Sequence, residues 1–340
     1  MIKNANFSFD DVAVISVELN EAPVVVTSDE VDARLAPFYA RTKGKAGLLE
    51  SLAGIRERRQ WPDGVTFTDA AAAAGEKAIA ASGVDRSAIG LMIDTSVSRA
   101  RLEPSSAVTV HDALGLATTC LNFDISNACL GFVNAMHLAG VMIDSGQVDY
   151  ALVVDGEGTN EIYDNTINYL NEHGTGVADI FANFATLTLG SGSAAMVLGR
   201  HSANPGSHQI LKGFFRAATE HHMLCVGSLE GMTTDARALL DAGTELAKLA
   251  WDDAGANETW GGRDRYILHQ VSEVHTNAML DVLNLEADKV PKTFPFYGNI
   301  GPAAIPITLA HVQATLSEGD SVLCMGIGSG LNAGVIELRW

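Results

Sequence analysis

Leu121-Asn122-Phe123-Asp124-Ile125-Ser126-Asn127-Ala128-Cys129-Leu130-Gly131-Phe132 is the stretch on which the fold turns. A strand-like run ends at Ile125, and a helical run, Leu130–Ser145, opens just after Cys129 and is closed by Gly146. A short apolar run, Tyr150–Asp155, follows and reads as a buried strand. The same alternation extends upstream. Asp11–Leu19 reads as a strand, Ser28–Thr42 as a helix capped by Ser28, and Thr68–Ser82 as an alanine-rich helix stopped by Gly83. Ile89–Thr95 is a strand and Ser105–Leu114 a helix. Apolar strands between helices predict an α/β fold whose sheets are covered on both faces.

Gly156–Leu187 breaks this rhythm and reads as a cap insertion, where substrate walls are often built. Ala194–Gly199 returns to strand, and the polar segment His201–His208, with Pro205, separates an N-terminal half, 1–203, from a C-terminal half, 204–340. The second half echoes the first. From Cys129 a helix runs to Gly146 and a strand follows; from Pro302 a helix runs to Gly319 and Ser321–Met325 follows. The glycine falls 17 positions on in both cases, at an offset of 173. Leu91–Asp94 pairs in the same way with Arg265–Leu268, so an internal duplication is expected.

The chain has 340 residues, is 47% hydrophobic and carries a net charge of −19, enough apolar residues for a large core and enough negative charge to repel nucleic acid and anionic membrane. The N-terminus lacks a signal-peptide core, and no apolar run reaches membrane-spanning length. Cys120, Cys129, Cys225 and Cys324 lie far apart, with neither metal-ligand spacing nor a disulfide framework. A reduced, cytoplasmic, soluble protein without a metal is expected.

Three residues at predicted strand ends suggest acyl transfer through a covalent thioester. Cys129 alone would read as one more buried cysteine. Its place at a helix N-terminus, beside small Ala128 and Gly131, instead favours thiolate, the nucleophilic form. His269 follows the strand Arg265–Leu268 and taken alone reads as structural. Asn299 lies between Gly298 and Gly301 and taken alone reads as a turn or cap residue. Together, an imidazole and a carboxamide can both donate hydrogen bonds to a thioester oxygen gaining charge. Gly326-Ile327-Gly328-Ser329-Gly330-Leu331 reads as a tight turn that could bring a backbone N–H to the acyl oxygen. Glu103, before Pro104, is a solvated loop carboxylate unless an apolar pocket receives it, where it could act as a base at carbon.

These residues resemble the thiolase superfamily, and within it the condensing enzymes similar to 3-oxoacyl-acyl-carrier-protein synthase III. The likeness covers nearly the whole chain: Gly54-Ile55-Arg56-Glu57-Arg58, Pro104-Ser105, Asn127–Phe132 around the cysteine, Leu189–Ala194, His269-Gln270 and Gly298-Asn299. It implies a thiolase fold, two duplicated halves in a five-layered α/β/α/β/α sandwich, and a homodimer. Glu103 resembles the head-to-head (OleA-type) condensing enzymes of long-chain olefin biosynthesis, which join two fatty acyl-CoA molecules without decarboxylation. The resemblance then implies Cys129 as nucleophile, backbone N–H groups of Cys129 and Ser329 or Gly330 as oxyanion donors, and His269 and Asn299 on the second thioester. Glu103 would reach into the partner subunit as the base. No cofactor is implied, coenzyme A thioesters being the substrates; later enzymes would turn the product into olefin or β-lactone. Leu48 and Leu52 stand where some relatives place a Trp and an Arg for the adenine, so the coenzyme A contacts must differ. Cys324 reads as strand core. The rivals are a decarboxylative synthase using a malonyl thioester, a cleaving thiolase, and a non-catalytic subunit of a heterodimer.

Overall fold

The computed structural model describes residues 6–228, 231–253 and 260–340. Its strands are β1 (Asn6–Ser8), β2 (Ala13–Asn20), β3 (Val24–Thr27), β4 (Glu57–Gln60), β5 (Ile89–Asp94), β6 (Leu121–Asp124), β7 (Tyr150–Glu157), β8 (Gly192–Gly199), β9 (His208–Ala217), β10 (Cys225–Gly227), β11 (Met232–Thr234), β12 (Arg265–Leu268), β13 (Ser321–Gly328) and β14 (Asn332–Arg339). Ten of them form one sheet in the order β12-β13-β14-β9-β2-β8-β7-β5-β6, with β1 added on β9.

The sheet is two copies of one array. Outward from the middle, β2-β8-β7 run antiparallel and β7-β5 parallel; β9-β14-β13 run antiparallel and β13-β12 parallel. β6 extends only the first array, and just two residue pairs, Ala13 with Gln209 and Val14 with His208, join the copies.

Side-chain alternation builds the layers. Leu91, Ile93, Ala151 and Val153 face one way, Val322, Cys324, Ile336 and Leu338 face them from the second array, and the helices Gly131–Asp144 and Ala304–Val312 fill the space between. The opposite faces, Met92, Leu152 and Val154 in one array and Tyr266, Leu268, Leu323 and Val335 in the other, are covered by Phe67–Ser82 with Ser106–Ala113 and by Ala236–Asp253 with Glu273–Leu283. The result is the implied five-layered thiolase sandwich. Each fully buried Leu, Ile or Val contributes about 1.5–3 kcal/mol, which is why these strands read as unbroken apolar runs.

Five readings change. The predicted helix over 28–42 is two helices, Ser28–Arg34 and Ala36–Thr42; Pro37 has no N–H to give, and the chain turns at Leu35. Its cap is Thr27, paired with Glu30 in a capping box, while the Ser28 hydroxyl donates to Ile55 O. The presumed cap insertion starts late, because β7 continues to Glu157; Asn160–His173, Val177–Ala182 and Phe184–Leu187 are its helices. The helix after Pro302 ends at Val312 rather than Gly319, and β13 runs on to Gly328.

Candidate active site

Cys129 stands on a sharp elbow between β6 and the helix Gly131–Asp144. The elbow needs Ala128 at φ 45, a region L-residues seldom occupy, and a bridge between Asn127 and Cys129. Asparagines brace it: Asn332 donates to Asn127 Oδ1 at 3.1 Å, and Asn127 donates to Asn134 Oδ1 at 2.7 Å. Gly328 lies against it, so close that a Cβ there would sit 2.8 Å from Asn127 O and 3.2 Å from Leu130 N. The turn at Ser329 and Gly330 therefore follows directly from a strand end pressed onto the Cys129 elbow, with Gly330 at φ 135.

His269 leaves β12 beside β13, its N–H donating to Met325 O at 2.9 Å. It is 8% exposed, and among the described residues its Nδ1 has no partner. Burial, then the neighbouring His275, holds its pKa down to about 3, so the imidazole is neutral. An apolar cavity of about 60 Å³ lies beside it, lined by Trp251, Met279, Met325 and Ile327.

Asn299 is pinned through its backbone: its N–H donates to Thr188 O and its carbonyl accepts from Gly190 N–H, both at 2.9 Å. Its Oδ1 accepts from Gly301 N–H at 3.0 Å, which leaves the NH₂ end as the donor free among the described residues. The close approach requires glycine twice, since a Cβ would meet Tyr297 O at 1.9 Å from Gly190 and Thr188 O at 2.5 Å from Gly298.

Behind the elbow lies a set of carboxylates that the sequence reading missed. Asp94 and Asp155 are fully buried and Glu157 is 5% exposed. Ser96 donates twice to Asp94, Thr95 donates to Asp155, and Glu157 accepts from Val97 N–H, Ser98 N–H and the Ser98 hydroxyl. Burial raises the pKa of all three, to about 6 for Asp94, with repulsion from Asp124 adding at Asp94, from Glu157 and Asp94 at Asp155, and from Asp94 at Glu157. The signal available was two acids closing an apolar strand, Asp155 and Glu157.

Burial, with these acids adding to it, opposes the expected thiolate. The Cys129 thiol is pushed up to about 12, first by burial and then by the charges of Glu157, Cys225 and Asp155. A helix end, worth about 0.3–1 kcal/mol when exposed, does not offset that. At neutral pH Cys129 is a neutral thiol and His269 a neutral imidazole.

Cys129 follows β6, Glu157 ends β7 and His269 follows β12, bonded to β13, whose Gly328 presses on the Cys129 elbow; Gly301, two residues from Asn299, has its Cβ position 3.5 Å from Glu157 Oε1. Glu103 is apart from them within one chain. It sits on an exposed loop next to Leu102, which is 100% exposed. The root of that loop, Thr95 to Ser98, hangs on the buried carboxylates. Cys324 is strand core, as read, and Leu48 and Leu52 belong to the helix Leu48–Ala53.

A thiol elbow, a buried imidazole and a carboxamide on a duplicated α/β sandwich are the parts of a condensing enzyme. The profile of 3-oxoacyl-[acyl-carrier-protein (ACP)] synthase III matches residues 123–218, and that of its C-terminal part residues 256–340. The acyl-CoA:acyl-CoA alkyltransferase of Xanthomonas campestris pv. campestris is 40% identical over 98% of this chain and 99% of its own. That of Shewanella oneidensis is 37% identical over 98% and 99%. The β-ketoacyl-[acyl-carrier-protein] synthase III of Rickettsia bellii is 27% identical over 94% and 96%. A crystal structure of a cysteine-to-serine variant of Xanthomonas campestris OleA with lauric acid and lauroyl-CoA superposes with a TM-score of 0.94, at 39% identity over 98% of this chain and 100% of that one. Glutamate-to-alanine and histidine-to-alanine variants of the same enzyme superpose at 0.95. The chain belongs to the 3-oxoacyl-acyl-carrier-protein synthase III family of condensing enzymes.

Proposed function

We propose that this chain joins two fatty acyl-CoA molecules by a non-decarboxylative Claisen condensation. The observation that carries the reading is Glu103: a carboxylate on an exposed loop, rooted in the buried floor of a thiol site, in a chain similar along its length to acyl-CoA:acyl-CoA alkyltransferases. A malonyl-using synthase generates its carbanion by losing carbon dioxide and has no use for such a base.

Cys129 attacks the first thioester carbonyl, and the carbon–sulfur bond to coenzyme A breaks. The thiol proton passes by way of His269 to the departing coenzyme A. Backbone N–H groups of Cys129 and of Ser329 or Gly330 hold the oxyanion. A second acyl-CoA follows, its thioester oxygen held by neutral His269 Nε2–H and the Asn299 NH₂. The partner subunit's Glu103 removes the α-proton, and the carbanion forms a carbon–carbon bond to the acyl carbonyl. Cys129 leaves as thiolate and recovers a proton. The product is a 2-alkyl-3-oxoacyl-CoA, or its acid after hydrolysis, which later enzymes convert to olefin, ketone or β-lactone. No cofactor beyond the coenzyme A of the substrates takes part.

This placing of Glu103 calls for a homodimer formed along β6. β6 has a neighbour on one side only, and Val97, Leu102, Val108 and Leu121 are exposed on or near it. No helix among the described residues is long and apolar enough to cross a membrane, in keeping with work in the cytoplasm.

The deciding experiment supplies long-chain acyl-CoA alone. Two coenzyme A released per 2-alkyl-3-oxo acid, or per ketone derived from it, is the expected result. An acyl-Cys129 adduct that yields product only after a malonyl donor is added would replace this reading with a decarboxylative one.

A further inference from the structure

Arg58, the end of Gly54-Ile55-Arg56-Glu57-Arg58, is the largest fully buried side chain among the described residues, 0% exposed. A guanidinium stays charged inside a protein, so burying one is costly unless its donors are met. Among the described residues no carboxylate pairs with Arg58, Asp32 acts on it only from a distance, and its Nε has no partner. Its amino groups reach three other segments. Nη1 donates to the Ser28 hydroxyl at 3.0 Å and to Val26 O at 3.5 Å, and Nη2 donates to Leu187 O at 3.3 Å.

Leu187 begins the strap on which Asn299 lies. The Tyr163 hydroxyl donates to the same Leu187 carbonyl at 2.7 Å. One residue on, Thr188 O takes the Asn299 N–H, Gly190 N–H returns to Asn299 O, and Ser191 N–H donates to Arg59 O at 2.8 Å. The Arg58 Cβ touches both segments, 3.2 Å from where a Gly190 Cβ would stand and 3.3 Å from where a Gly298 Cβ would. Earlier in the same motif, Arg56 N–H donates to Pro295 O at 2.9 Å, and the Gly54 Cβ position is 3.2 Å from the Phe294 ring.

We propose that Arg58 is a positioning residue for Asn299: its guanidinium fixes Leu187, and with it the strap that sets where the carboxamide donates. Being buried, Arg58 acts on the reaction only through that strap. The role presupposes that Asn299 holds the second thioester, as in the proposed reaction. Loss of Arg58 therefore spares the first half-reaction, which uses Cys129 and His269, and harms the second.

Arg58→Met removes the charge and its donors and leaves an unbranched apolar side chain, an exchange of buried charge for apolar volume that folds often tolerate. With long-chain acyl-CoA, single-turnover release of the first coenzyme A should stay within about twofold, while condensed product forms at least about tenfold more slowly. In the Asn299→Ala background the same substitution should cost no further product, because its route is already cut. Equal losses in both half-reactions, or losses that multiply with that of Asn299→Ala, overturn the proposal. Hydrogen–deuterium exchange without substrate tests the strap itself. Peptides covering 186–191 and 298–301 should exchange at least about tenfold faster in Arg58→Met, and the peptide covering 130–140 at its original rate. Unchanged exchange at the strap, or faster exchange everywhere, also overturns the proposal. If the unsubstituted chain makes no product from acyl-CoA alone, the condensation reading fails, and the exchange rates still decide the role of Arg58. Should Arg58→Met not fold, Arg58→Lys is read in the same way, since an ammonium keeps the charge but cannot span Ser28 and Leu187 as a fork does.

Discussion

Cys129 and Glu103 divide the reaction into halves that can be lost separately. Cys129→Ala should abolish release of the first coenzyme A, read as single-turnover thiol release. Glu103→Gln should keep that release and lower condensed product at least about a hundredfold, the scale on which general-base catalysis acts; product at the unsubstituted rate would remove Glu103 from the mechanism. His269 makes a different kind of statement. Its folded pKa is held down to about 3 against 6.5 for the free group, so it favours the fold above pH 6.5, and this contribution is lost as pH falls toward 3 because the unfolded chain alone takes the proton. At pH 5.5 the loss is about 1.4 kcal/mol from this group. Denaturant melts of His269→Asn should accordingly fall less between pH 7.5 and 5.5 than those of the unsubstituted chain. Equal falls would contradict a buried neutral imidazole. The raised acids Asp94, Asp155 and Glu157 act oppositely, favouring the fold at low pH and losing that contribution as pH rises through their folded values, so only the difference between the two chains isolates His269.

At the scale of elements, the site depends on how closely β13 meets the elbow. Gly328→Ala places a Cβ 2.8 Å from Asn127 O, and neither strand nor elbow can yield without moving Cys129. A loss of about 1–3 kcal/mol in stability and a larger loss of acylation are expected, checked by melting and by coenzyme A release; acylation at the original rate would show that the turn at Ser329 and Gly330 is not held this way. The same strand shows where sequence reading ends. Ser321–Met325 is a run of apolar residues and legible, whereas Gly326-Ile327-Gly328 looks like a turn because glycine disfavours a strand in isolation. It is strand because glycine is all that fits against Leu130 and Asn127. Likewise β7 continues through Asp155 and Glu157, acids that local propensity would place in a loop and that hydrogen bonds from the 95–98 segment hold inside.

For the whole molecule, the base and the nucleophile of one site belong to different chains in the proposed dimer. Mixing Cys129→Ala with Glu103→Gln subunits, each inactive in condensation, should recover about a quarter of the unsubstituted activity once the subunits exchange: half of the dimers are mixed, and each mixed dimer has one complete site. No recovery after demonstrated exchange would place Glu103 in its own chain's site or outside the reaction.

Much of the alternation of strands and helices, the duplication and the strand-end positions of Cys129 and His269 are written in the sequence, because buried strands must be apolar; Asn299, expected at a strand end, instead follows the short helix Phe294–Tyr297. Three things belong to the tertiary structure alone. The two arrays meet through two residue pairs and enclose the helices Gly131–Asp144 and Ala304–Val312 between them. The glycines of β13 and of the Asn299 segment are fixed by backbone atoms far away in the chain. The protonation of Cys129 is set first by burial and then by the charges of Glu157, Cys225 and Asp155: the dipole of a helix end is a property of nearby sequence, but that burial and those neighbours exist only once the chain has folded.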